Sequence, residues 1–70
     1  MTRNEELKEI MESLGRDTSI SQGNPDLMWL ADITESSFNA ARSWLASSDA
    51  AMYRNIPKAK LDLLKSRLVS

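Results

Sequence analysis

Apolar residues recur along this chain at the spacing of short amphipathic helices, and the polar breaks between them are abrupt. Leu7, Ile10, Met11 and Leu14 share one face of a first segment over residues 3 to 14, with glutamates opposite. Gly15 follows where a helix C-terminus favours glycine. Residues 16 to 23 are polar and loop-like, with Ile20 the one side chain expected to tuck inward. Asn24 and Pro25 read as the N-cap and first residue of a second helix that runs to about Asp32 or Ile33. A third helix is expected from about Ser37 to Ala46, with Ala41, Trp44 and Leu45 on its inner face. Ser47, Ser48 and Asp49 break it, and Ala50 to Tyr53 has room for one further turn. Pro57 opens a last helix to about Val69, with Leu61, Leu64 and Leu68 at helical spacing. No strand pattern or internal repeat interrupts this series. The expected fold is all-α: a single domain over residues 1–70, a compact bundle of four or five short helices.

The junction between the second and third helices is the most specific feature. Leu27, Leu30, Ala31 and Thr34 make one helical pattern, and a break rich in Ser and Glu follows. The next pattern begins at once with Phe38. Helices joined by so tight a turn cross steeply, the geometry of a helix-turn-helix. The second helix of that pair can present its first turns to a DNA major groove. Ala31 falls where the helices approach most closely, and Thr34 is small enough to stay inside the same crossing.

The segment resembles the helix-turn-helix of small phage and plasmid repressors, lambda-type and anti-CRISPR-associated repressors among them. Their members often read LA-x-(I/L)-T-G-x-S, followed after six residues by W-L. Leu30, Ala31, Ile33, Thr34, Ser37, Trp44 and Leu45 fall in that register. Arg54-Asn55-Ile56-Pro57 and the leucines at 61, 63, 64 and 68 resemble the ending of such regulators. The resemblance spans roughly residues 25 to 69. It departs at Glu35, where such repressors usually carry glycine to meet a left-handed conformation. It departs again at Ser36, usually an apolar residue, although a serine there can cap the following helix.

Composition narrows the function classes. Seventy residues lie near the lower limit for a self-sufficient core, and the chain has no cysteine to add a disulfide. No apolar run approaches the roughly 18 residues of a membrane span. The glutamate-rich start lacks the basic-then-apolar character of a signal peptide. The expectation is a cytoplasmic protein of a bacterial cell or phage-infected host, with no membrane partner. Without histidine or cysteine, and with only two glycines, the chain lacks the commonest base, the most reactive nucleophile and any phosphate-cradling loop. No enzyme, cofactor or small-molecule substrate is expected. Glu5, Glu6, Glu9 and Glu12 read as a solvated face, with no strong ligand to complete a metal site.

Charge sharpens the DNA reading. The net charge is −1, but residues 1 to 37 hold three basic and eight acidic residues while residues 38 to 70 hold six basic and two acidic. The expected recognition helix and everything after it therefore form the basic half. Screening acts over about 8 Å at physiological salt, so local rather than net charge governs what a phosphate meets. Exposed positions at the start of the third helix are the expected base contacts: Ser37, Phe38, Asn39, Arg42 and Ser43. Arg42 suits guanine and Asn39 adenine through paired hydrogen bonds. Phe38 has two readings, a thymine methyl contact or packing inward against Leu30. Ser36, Tyr53, Arg54, Asn55 and Lys58 are the expected phosphate contacts. Trp44 belongs to the core, and the lysines of the last helix read as a wet face.

The second helix is apolar nearly all round, which implies burial on every side. Part of that surface is expected at a homodimer interface with Met28, Trp29, Leu63 and Val69. Such a dimer would address two half-sites one turn of DNA apart, about 34 Å. The expected partners are thus operator DNA, double-stranded, and a second copy of the chain. The competing reading is a small helical protein-interaction module, a phage-encoded inhibitor of a host protein or an antitoxin, docking through its apolar helix.

Overall fold

Capping side chains set where the first three helices begin. The computed structural model describes residues 1–69, in which α1 spans Arg3–Ser13, α2 Pro25–Ile33, α3 Phe38–Leu45 and α4 Lys58–Val69. The first amides of a helix have no partner within it. On α1, Thr2 N donates to Glu5 Oε1 at 2.8 Å while Glu5 N donates to Thr2 Oγ1 at 3.1 Å, a reciprocal capping box. On α2, Asp26 N donates to Asn24 Oδ1 at 3.0 Å, with Pro25 at the first helical position. On α3, Ala40 N donates to Ser37 Oγ at 3.1 Å.

Two helices end by the same device. Gly15 has φ 73° and Glu35 has φ 54°, and Glu35 is the single non-glycine residue of positive φ among those described. At both ends the next amide returns to a carbonyl five residues back: Arg16 N to Met11 O and Ser36 N to Ala31 O, each 2.8 Å. The left-handed residue itself donates three back, Gly15 to Glu12 at 3.0 Å and Glu35 to Asp32 at 3.1 Å. These paired bonds are the Schellman closure, which glycine usually serves. Glu35 does glycine's work with a side chain attached.

Leu7 and Met11 of α1, Leu27, Leu30 and Ala31 of α2, Ala41, Trp44 and Leu45 of α3, and Leu61 and Leu64 of α4 meet in one core. Ile56, from the segment before α4, is fully buried among them. The α2–α3 contact is the most extensive, and α1 and α2 each pack on both α3 and α4. The four helices therefore close a ring in the order α1–α3–α2–α4. The Cα radius of gyration of 10.9 Å matches the roughly 11 Å of a 70-residue chain folded round one core. Asn4 stitches the ring to the segment before α4: its Nδ2 donates to Arg54 O at 2.8 Å and its Oδ1 accepts from Ile56 N at 2.7 Å.

Residues 50 to 53 form the turn the sequence has room for, closed by Ala50 N to Ser47 O at 2.9 Å and Tyr53 N to Ala50 O at 3.0 Å, and the described residues hold four helices. The expected inward place of Leu14 is corrected. Leu14 caps α1 and is exposed, because the chain turns away at Gly15 before that side chain reaches the core. Within one chain the second helix leaves Pro25, Met28 and Asp32 exposed. Its neighbours α3 and α4 cover only the face carrying Leu27, Leu30, Ala31 and Thr34. Among the described residues no helix is long and apolar enough to cross a membrane.

Candidate nucleic-acid interface

The α2–turn–α3 unit presents α3 by a crossing that only small side chains permit. Ala31 is buried and Thr34 is fully buried, its Oγ1 donating to Leu30 O at 2.7 Å so that no polar atom is left unmatched inside the crossing. Ala41, Trp44 and Leu45 fix the inner face of α3. Asn39 is the exposed residue at the centre of its outer face. Arg42 and Ser43, three and four residues further on, lie to either side of it on the helix.

Both flanking positions are engaged. Arg42 is half-buried, and its Nε donates to Ile20 O at 3.0 Å, tying the 16–23 loop against α3. That bond engages Nε, and among the described residues no hydrogen bond is made by the two Nη groups of Arg42. Ser43 is buried, which corrects its expected place as an exposed base contact. Its Oγ turns back to donate to Ala40 O at 2.6 Å, and the Arg54 amide donates to its carbonyl at 3.2 Å, laying the 53–55 segment over it. Phe38 is half-buried and packs against the core, so of its two readings the inward one holds. Ser37 stays exposed but spends its acceptor on capping α3, keeping its hydroxyl proton for a partner. Of the five expected base contacts, Ser37 and Asn39 are thus exposed, and Arg42 is half-buried.

The expected phosphate contacts divide as well. Arg54, Asn55 and Lys58 are exposed, whereas Tyr53 is half-buried and Ser36 is held in the turn, donating to Thr34 O at 3.2 Å. Arg54 folds its guanidinium back onto Ala51 O at 3.2 Å and Tyr53 O at 2.7 Å. Lys58 pairs with Asp62 at 3.0 Å while staying largely exposed. Of the expected dimer residues, Met28 and Val69 are exposed. Leu63 and Trp29 are half-buried, the Trp29 ring lying 4.1 Å beneath the Arg16 guanidinium.

The charge asymmetry of the sequence is partly cancelled across the fold. Lys65 pairs with Glu6 and Arg67 with Glu35, joining the basic half to the acidic one. Arg16 and Asp26 pair at 2.9 Å. Hydrogen bonds hold three carboxyls below their usual range: Glu5 through the backbone and hydroxyl of Thr2, Asp26 through the Asp17 amide and then Arg16, and Asp49 through the Ser47 hydroxyl. No group of acidic side chains among the described residues is arranged to hold a metal ion. A concavity of about 660 Å³ opens beyond the C-terminal end of α3, lined by Thr2, Glu5, Lys8, Ser47 and Tyr53 among others. It lies off the Asn39 face.

The residues missed by sequence reasoning sit behind the turn. Lys60 Nζ donates to Thr34 O at 2.9 Å and to Glu35 O at 3.1 Å. Arg67 Nη1 donates to Ile33 O at 2.8 Å and pairs with the Glu35 carboxylate. These two α4 cations occupy the carbonyl end of α2 and are not part of a wet face. Their only trace in the sequence is an acidic residue where a glycine is usual. Compared with known proteins, the chain matches no family model, no curated protein and no solved structure.

Proposed function

We propose that this chain is a sequence-specific double-stranded DNA-binding regulator that reads the major groove with the start of α3. The observation that supports this most is the left-handed turn at Glu35, which joins α2 and α3 over a crossing of Ala31 and Thr34. A tight turn over a crossing of small residues is what the resemblance to small helix-turn-helix repressors leads one to expect, and it supports the reading on that ground. Within it, Asn39 and the Nη groups of Arg42 are the base readers, Ser37 the residue nearest a backbone phosphate, and Arg54, Asn55 and Lys58 the flanking contacts. A bidentate pair from Arg to guanine or Asn to adenine discriminates by about 1–3 kcal/mol. In this reading the protein acts in the cytoplasm as a homodimer that occupies an operator and excludes polymerase from the promoter, with exposed Met28 and Val69 contributing to the contact between copies.

The test is fluorescence anisotropy with a duplex from the DNA upstream of its own gene, at two salt concentrations. Binding should weaken steeply with salt, as counterion release requires. Arg42→Ala and Asn39→Ala should each lose preference for that duplex over a scrambled one. Absence of binding at low salt, to that duplex and to mixed genomic fragments alike, would overturn the reading and favour a protein-interaction module.

A further inference from the structure

The carbonyl end of α2 is gripped by a helix that begins more than twenty residues later. A helix C-terminus concentrates unmatched carbonyls and partial negative charge, so cations are stabilised there. Here Lys60 and Arg67 of α4 bond the carbonyls of Ile33, Thr34 and Glu35 in succession, that of Thr34 shared with the Ser36 hydroxyl. Arg67 also pairs with the Glu35 side chain. Glu35 is the residue held in the left-handed conformation, which is costly for a side chain bearing a Cβ. The turn is thus fixed from α4 through its backbone and through its side chain together.

We infer that Lys60 and Arg67 are positioning residues for DNA recognition, setting the orientation of α3 from α4 without touching DNA themselves. This rests on the DNA-binding reading above. α4 is a firm reference because Leu61 and Leu64 anchor it in the core and Lys65 ties it to Glu6 of α1. α3 starts three residues after Glu35, and its Ser37 cap lies inside the same turn. A rotation about the Glu35 backbone therefore swings the whole of α3, and Asn39 and Arg42 with it. Both cations are bonded to carbonyls of residues 33 to 35, which distinguishes them from the expected phosphate contacts.

Arg67→Gln and Lys60→Gln test this, since glutamine keeps helix propensity close to that of Arg and Lys. Two readouts are needed. Hydrogen exchange of the Glu35 and Ser36 amides, both bonded in the closed turn, should speed by about tenfold in each variant while the Leu64 amide is unchanged. Affinity for the preferred duplex should fall about threefold to thirtyfold, the range for residues that act on binding without contact, at an unchanged salt slope. Arg67→Lys should recover part of that loss. A salt slope smaller by about 0.9 would make the residue a phosphate contact and overturn the inference. Duplex binding with unaltered exchange at Glu35 and Ser36 would overturn the role of α4 alone. A wild-type chain that binds no duplex would overturn the DNA reading itself, and the positioning role with it.

Discussion

Two turns of this fold demand the same backbone conformation, one met by glycine and one by glutamate, and reciprocal substitutions separate what each contributes. Gly15→Ala places a Cβ at φ 73° where nothing lies within 4 Å, so no clash contributes. The left-handed conformation costs an L-residue about 1–2 kcal/mol, and the narrower unfolded ensemble of alanine returns about 0.4–1 kcal/mol. The expected net loss is about 0.5–1 kcal/mol, a fall of about 3–6 °C in Tm for a domain of this size. Glu35→Gly reverses that change at φ 54° but also removes the ion pair to Arg67. The pair is 39% exposed on the arginine and 63% on the glutamate, so solvent screens it to about 0–1 kcal/mol. Lys60 still reaches the carbonyl at position 35, because that bond is to backbone. At low salt Glu35→Gly should therefore fall within about 1 kcal/mol of the parent chain. In 1 M salt, where screening acts over about 3 Å, the parent loses its pair and the variant should become the more stable by about 2–6 °C. Thermal unfolding of both variants and the parent, followed by far-ultraviolet circular dichroism at two salt concentrations, reads all of this. A Glu35→Gly chain that melts well below its parent in high salt would mean that position 35 is not left-handed in solution.

Further substitutions probe the core, the stitching of the chain and its acid limit. Leu30→Ala, at a fully buried position of α2, should cost about 2–5 kcal/mol, enough to leave a domain this small largely unfolded at 37 °C by circular dichroism. Ala31→Leu should overpack the α2–α3 crossing and cost about 1–3 kcal/mol; an unchanged urea midpoint would show that the helices do not approach closely there. Asn4→Ala strands the buried Ile56 amide and should cost about 1–3 kcal/mol, against little effect from Asn55→Ala on the exposed surface. Glu5, Asp26 and Asp49 all have carboxyls lowered in the fold, so as pH falls the unfolded chain takes up protons first. Their stabilisation is complete above the usual carboxylate range and is lost below about pH 4, so Tm should fall there. That fall should be shallower in Asp26→Asn, and an identical acid profile for the two chains would refute the assignment.

Local signals in the sequence reached far into this fold. Thr2, Asn24 and Ser37 mark helix starts because a short polar side chain before an apolar run satisfies amides only a few residues away. Periodicity placed Leu7, Met11, Leu30, Ala41 and Trp44 inside, since a helix repeats its face regardless of what covers it. The same logic misplaced Leu14. Periodicity says which residues share a face, and it does not say whether a neighbouring helix is long enough to cover it. The exposure expected of the candidate site held at Asn39 and failed at Ser43 for a related reason. Asn39 stands open as its helix position implies, while Ser43 is closed by Arg54 and Arg42 is held by Ile20, partners eleven and twenty-two residues away.

The sequence by itself determined an all-helical chain, the positions of its caps and the tight turn between α2 and α3, because each of these is written within a span of about one helical turn. The tertiary structure alone decided which charges remain available. Lys60, Lys65 and Arg67 look alike on a helical wheel, yet folding commits them to the α2 carbonyls, to Glu6 and to Glu35. A charge acts on whatever the fold brings within a few ångströms, and residues 35 and 67 become neighbours only when the ring of four helices has closed.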